Sequence, residues 1–134
     1  MNPLSVDVRQ ILIDNAVPSA LIFIASEPDK PNTVMTIYDT PGEPPNPKWL
    51  LDTPSCQIRS RSKSYATAYS NLLNARDILL GKDKVTVNST KYIGFFAEGD
   101  IMSLQRDDED RHILVINFRI VREPSTGNNR QAAI

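Results

Sequence analysis

No stretch of this 134-residue sequence approaches the ~20 consecutive apolar residues needed to cross a bilayer, and Met1 to Ser5 holds no basic region leading into an apolar run. The expectation is a soluble, unprocessed chain. A lone cysteine, Cys56, excludes an internal disulfide framework and a cysteine-built zinc site, and it fits folding in a reducing compartment, by default the cytosol. Glycines are few, and Gly42, Gly94 and Gly99 stand isolated, so no phosphate-cradling loop or dinucleotide fingerprint exists. Charge of neither sign dominates: 15 basic residues face 16 acidic ones, which removes any long-range attraction to nucleic acid or an anionic membrane. Polar recognition must come from local patches.

Histidine is equally scarce. His112 is the only one, and it stands in register with Leu114, Ile116 and Phe118, the alternation of a partly buried or strand-end side chain rather than of a general base. A serine triad would need it, and nothing marks a serine nucleophile. No catalytic residue, cofactor site or metal site is expected.

What the sequence does contain is a series of short periodic segments. Ser5 can cap a helix with Val8, Ile11 and Leu12 on one face and Asp7, Arg9 and Asp14 more exposed, ending at Asn15 and Pro18. Leu21 to Ile24 is a continuous apolar run of strand length, read as a strand covered on both faces and central in the sheet. After a turn from Glu27 to Asn32, Thr33 to Tyr38 is β-branched and aromatic, and the two strands are expected to form a hairpin. Residues 41–50 hold four prolines and a glycine, so they read as an extended arm with Trp49 near its end, a lid on its own core or a docking anchor. Cys56 and Ile58 alternate with Gln57, Arg59 and Arg61, which predicts a strand whose two arginines share a face.

A second helix opens at Ser62 or Ser64, carries Tyr65, Ala68, Tyr69, Leu72, Ala75, Leu79 and Leu80 as its apolar set, and stops at Gly81. Lys82 to Thr90 is polar and gets no assignment. The last third reads as an apolar segment from Tyr92 to Phe96, a short strand near Ile101 to Arg106, the acidic tetrad Asp107, Asp108, Glu109 and Asp110, and a long strand from Arg111 to Arg122. That is a hairpin with charge at its tip. The order of elements predicts an α+β fold: a mixed, largely antiparallel sheet, two main helices on one face, a long arm and a closing β-hairpin. Residues 1–122 form a single domain, and residues 123–134, with little to bury, are expected to be a flexible C-terminal tail.

The acidic tetrad offers oxygen ligands, but consecutive carboxylates in a turn cannot all converge on one cation. Two readings stay open: a solvated turn, or a rim charge that pairs with a basic patch on a neighbouring subunit. Arg59, Arg61 and Lys63 are the candidate partners, and pairing within the chain fits equally well. The same three charges beside Tyr65 and Tyr69, tyrosines the helix takes for its core, fall short of a nucleic-acid stacking platform.

Taken together, Ile37 to Gly42, Pro44 to Leu50, Gln57 to Arg61, Ala68-Tyr69, Tyr92 to Gly94, Asp107-Asp108 and Asn117 to Arg119 resemble the small "minor capsid" or tail terminator proteins of long-tailed bacteriophages. The resemblance spans about Val6 to Arg122. It implies an α/β subunit without enzyme activity that forms a sixfold ring on the last ring of the tail tube. Such a ring ends tube growth and presents a surface to the head connector. It also implies self, tube protein and connector as partners, and a place in the virion at the head-proximal end of the tail after assembly in the host cytoplasm. The stretch after Glu123 and Glu98 to Asp100 depart from the pattern. A neighbouring head-to-tail connector component and a small ligand-binding or hydrolytic domain are the alternatives.

Overall fold

The structure is a computed structural model that describes residues 1–45, 47 and 51–124. Helix α1 (Leu4–Asp14) is followed by a single 3-10 turn, Ser19–Leu21, and strand β1 (Ile22–Ile24). Strands β2 (Val34–Thr40) and β3 (Ser55–Ser62) flank the proline-rich arm. Helix α2 (Tyr65–Leu80) leads into β4 (Asp83–Val87), β5 (Thr90–Ala97), β6 (Met102–Ser103) and β7 (His112–Arg122). The strands make one sheet in the order β1-β2-β3-β7-β5-β4, with β6 also on β7. All pairs are antiparallel except β1 with β2. The α+β architecture expected from the sequence is the one observed.

Strand periodicity sorts the sheet's two faces. Met35, Ile37, Cys56, Ile58, Leu114, Ile116, Phe118 and Ile120 point to one side, where they meet Val8, Ile11 and Leu12 of α1 and Ala68, Leu72, Ala75 and Leu79 of α2 in a single buried cluster. Ser64 caps α2 by accepting from the Thr67 amide at 3.3 Å. Gly42 and Glu43 close the base of the arm: the Glu43 amide donates to the Thr53 carbonyl at 3.0 Å, and a Cβ on Gly42 would stand 2.2 Å from that same oxygen.

Several expectations are corrected. β1 and β2 are not a hairpin but a parallel pair, Ile22 beside Met35 and Ile24 beside Ile37, and β1 lies at the sheet edge rather than its centre. The connecting segment must therefore run back across the sheet, and buried arginine side chains hold it there. Ser5 does not cap α1. Pro3 takes the cap position, and the Ser5 amide and hydroxyl donate instead to the Asp39 carboxylate at 2.9 and 2.6 Å, so a β2 residue supplies the missing acceptor. Asp7, expected near the surface, is fully buried, accepting from the Tyr92 hydroxyl and from Asn88 Nδ2 at 2.8 Å. The unassigned stretch after Lys82 is strand β4, joined to β5 by a two-residue turn in which Asn88 and Ser89 both have positive φ, the type I′ geometry.

Candidate interaction surface

The acidic tip is built by its own neighbours. Leu104 pairs with Ile113 ahead of the turn, and Asp107 folds back over it, its Oδ1 accepting from the amides of Glu109 at 3.0 Å and Arg111 at 2.9 Å. Asp107 Oδ2 lies 2.7 Å from Arg111 Nε. Arg111 is itself buried and reaches on to the Asp29 carbonyl at 2.6 Å, with Glu109 Oε2 3.4 Å from its Nη1. Asp110 pairs with Arg106 at 2.9 Å, and Glu109 with Lys30 at 3.6 Å. Although partial burial works against it, the Arg111 and Glu109 amides and the Arg111 guanidinium hold the Asp107 carboxyl below its ordinary range. The Arg106 guanidinium does the same for Asp110.

Arg59 and Arg61 do share a face, as their spacing predicts, but they turn inward to the β1–β2 crossover. Arg59 Nε stands 3.2 Å from Glu27 Oε1, an ion pair without the alignment of a hydrogen bond. Arg61 is 2% exposed and donates to the carbonyls of Asn32, Asp29 and Pro31 at 3.2, 3.2 and 2.7 Å. Two arginines thus grip one loop: Arg61 from the sheet face and Arg111 from the hairpin. Arg61 cannot meet a neighbouring subunit while it serves that role. Lys63 is exposed. Trp49 lies outside the described residues, as does the sequence from 125 to 134.

The tyrosines expected in the core are at the surface. Tyr65 and Tyr69 stack with ring centroids 6.4 Å apart, and the edge of His112 meets Tyr65 at 5.4 Å. Their Cα positions flank the buried stripe of Ala68, Leu72, Ala75 and Leu79. Helical spacing alone does not separate the centre of an apolar stripe from its margin. Among the described residues the exposed large apolar side chains are Met1, Tyr65, Tyr69, Leu80, Phe96, Met102 and Leu104. All but Met1 sit on α2 or on the β5–β6 segment, and Arg76 ties these two elements together through Asp100 at 2.9 Å. Phe96 is held by its surroundings: its ring covers Gly94, where a Cβ would come within 2.9 Å, and Arg119 lies 5.4 Å above the ring. The exposed apolar side chains, 39% to 52% exposed, thus fall in two places: Tyr65, Tyr69 and Leu80 on α2, and Phe96 and Met102, which pair with Arg119 and Val115, on the sheet face turned away from the helices. The acidic turn was legible in the sequence; the exposure of these apolar side chains was not.

Among the described residues, no group of three or more histidine, cysteine, aspartate or glutamate side chains is arranged to hold a metal ion, and no helix is long and apolar enough to cross a membrane. Burial pushes the Cys56 thiol up to about 12, which leaves it protonated and unreactive at neutral pH.

A sequence family described as bacteriophage tail terminator protein matches residues 11–124. The chain belongs to that family. It is therefore a phage tail structural protein. Among solved structures, the chain is similar to one from the virion of a native gene transfer agent particle, with a TM-score of 0.69 at 17% identity, covering 91% of this chain and 96% of the other. At that identity the likeness is one of fold. No curated protein sequence matches the chain.

Proposed function

We propose that this tail terminator family member forms a closed ring, hexameric in the simplest case, that caps the tail tube, stops its polymerisation and offers the surface on which the head connector docks. The observation that carries the reading is the family match, which runs through every strand of the sheet. The exposed apolar side chains support it. A ring closes when one patch meets a different patch on the next copy, and the exposed Tyr65 and Tyr69 on α2 and Phe96 and Met102 on the other face of the sheet offer two different apolar patches for that. In this reading the exposed Lys63 and the carboxylates of Asp108, Glu109 and Asp110, with Asp107 fixing the turn, set register at the rim, where complementary charge selects orientation more than it adds affinity. Trp49 and Arg59 complete the proposed contacts. The chain acts by fitting its copies, the tube protein and the connector, without catalysis. Its place is the head-proximal end of the tail within the virion, reached from the host cytoplasm during assembly.

Purified protein added to growing tail tubes tests this. Elongation should stop and electron microscopy should show a ring on one tube end. Tubes that grow past the addition point without a cap would sink the reading. In a knockout, overlong tubes are expected, whereas unattached tubes of normal length would make the chain a connector component.

A further inference from the structure

The two ends of β3 carry groups of matching chemistry. Beyond its last residue, Tyr65 and Tyr69 stack in the first turns of α2 with His112 set edge-on to Tyr65, so three rings form one ridge whose tyrosines are exposed. Ahead of its first residue, the arm presents Pro44-Pro45, the one pair of consecutive prolines in the sequence, and both are exposed. Consecutive prolines hold the backbone extended, leave its carbonyls without internal partners and lose little entropy on binding. Rows of aromatic rings are what such segments dock on, with the tyrosine hydroxyls as donors to the carbonyls. Within one chain the two cannot meet. The Glu43 amide is held 3.0 Å from the Thr53 carbonyl, and Pro45 lies at most roughly 7 Å beyond Glu43. The eight residues of β3 run roughly 23 Å in the other direction, to Ser62 beside His112.

We propose that Pro44 and Pro45 of one copy lie across Tyr65 and Tyr69 of the next, an inference that deepens the ring reading and rests on it for closure. The contact joins one end of a subunit to the opposite end of another, the head-to-tail arrangement from which rings are made. Charge agrees with this pairing. Glu43, exposed just ahead of the prolines and held only by Arg119 at 3.9 Å, faces the exposed Lys63 two residues ahead of Tyr65. The apolar surface continues as well, because Arg119 also lies over the ring of Phe96. Phe96 therefore stands beside the base of the arm and extends the surface that the prolines offer to the tyrosines.

Crosslinking between two singly altered full chains reads the contact directly. Protein carrying Pro45→Cys, mixed with protein carrying Tyr69→Cys and mildly oxidised, should give a disulfide-linked pair of unlike chains in excess of either like pair; buried Cys56 stays out of the reaction. Sedimentation of the free protein supplies the second readout. P44A/P45A and Y65S/Y69S should each weaken self-association at least about tenfold, and the two together no further than either alone, since both remove one contact. Losses that multiply, association unchanged by either variant, or rings that form without the unlike crosslink overturn this contact and leave the ring reading standing. A chain that shows neither association nor crosslink, free or on tube ends, overturns both.

Discussion

Arg61 Nη2 donates to the carbonyl oxygen of Pro31 at 2.7 Å, joining the middle of the sheet to the crossover between its two parallel strands. Removing the guanidinium leaves the Glu27 carboxylate and the loop carbonyls short of a buried partner. Arg61→Ala should therefore cost about 3–5 kcal/mol, and Arg59→Ala, on a half-exposed side chain, no more than about 1 kcal/mol. Urea denaturation of the two variants separates them. Equal midpoints would show that the buried grip does not hold the loop.

The Tyr92 hydroxyl donates to Asp7 in the core, and Arg122 Nη1 stands 3.4 Å from the same hydroxyl. Burial, followed by the Asp7 carboxylate, raises the phenol's pKa well above its usual value, which keeps the donor protonated. Tyr92→Phe keeps the ring but strips Asp7 of a donor, an expected loss of about 1–3 kcal/mol. A melting temperature equal to that of the unaltered protein would show that Asn88 and Asn2, which also donate to Asp7, satisfy it without the hydroxyl.

Gly42→Ala places a methyl group against the Thr53 carbonyl and the Pro54 backbone. The base of the arm has to open, at about 1–3 kcal/mol, and limited proteolysis should then cut between residues 41 and 51 faster than in the unaltered protein. Unchanged cleavage would mean that Pro54 yields instead. Gly99→Ala meets no atom within 4 Å but requires a φ of +96°, so its cost is backbone strain alone.

Acid should loosen the hairpin tip. The Asp107, Asp110 and Asp100 carboxyls sit below their ordinary values: Asp107 through Arg111 and Glu109, Asp110 through Arg106, and Asp100 through the Ile101 amide and then Arg76. A depressed folded value contributes stability that is complete above the unfolded pKa, ~3.9, and is lost as pH falls through the folded values. Urea midpoints followed from pH 6 down to pH 2 should be level at first and then decline below about pH 4, less steeply in Asp107→Asn. A midpoint that rises on acidification would reverse the assigned sign.

Assembly should depend on the exposed apolar side chains of α2 and of the outer sheet face rather than on the tip alone. Tyr69→Ser combined with Met102→Ser alters exposed side chains, so the fold should keep its stability within about 0.5 kcal/mol. Sedimentation should then find a monomer under conditions where the unaltered protein associates. Unimpaired association would place the contact elsewhere.

The sequence made visible what depends on period and local chemistry. The buried stripe of α2, its Ser64 cap, the alternation of β3 and the closing hairpin around Asp107 to Asp110 all follow from spacings within a few residues. What it concealed are pairings between distant segments. Nothing near Leu21 to Ile24 signals that its neighbour is parallel, because the groups that hold the crossover are distant in sequence, Arg61 in β3 and Arg111 just ahead of β7. Asp7 looks like a surface residue of a helix until Tyr92 and Asn88 arrive from the β4–β5 hairpin. Val85 and Val87 alternate ahead of Asn88-Ser89, a signal for β4 that the surrounding lysines and aspartate obscured. Tyr65 and Tyr69 fit a core pattern and lie at its margin.

Helix α1 has only 11 residues and no side-chain cap of its own; the Asp39 carboxylate receives its first-turn amide from across the sheet. A helix this short is marginal in water alone. On the ribosome it has nothing to close against until β2 has emerged behind it, so the N-terminal end of the chain is made first and finished late. Nascent fragments ending before residue 39 should remain unstructured.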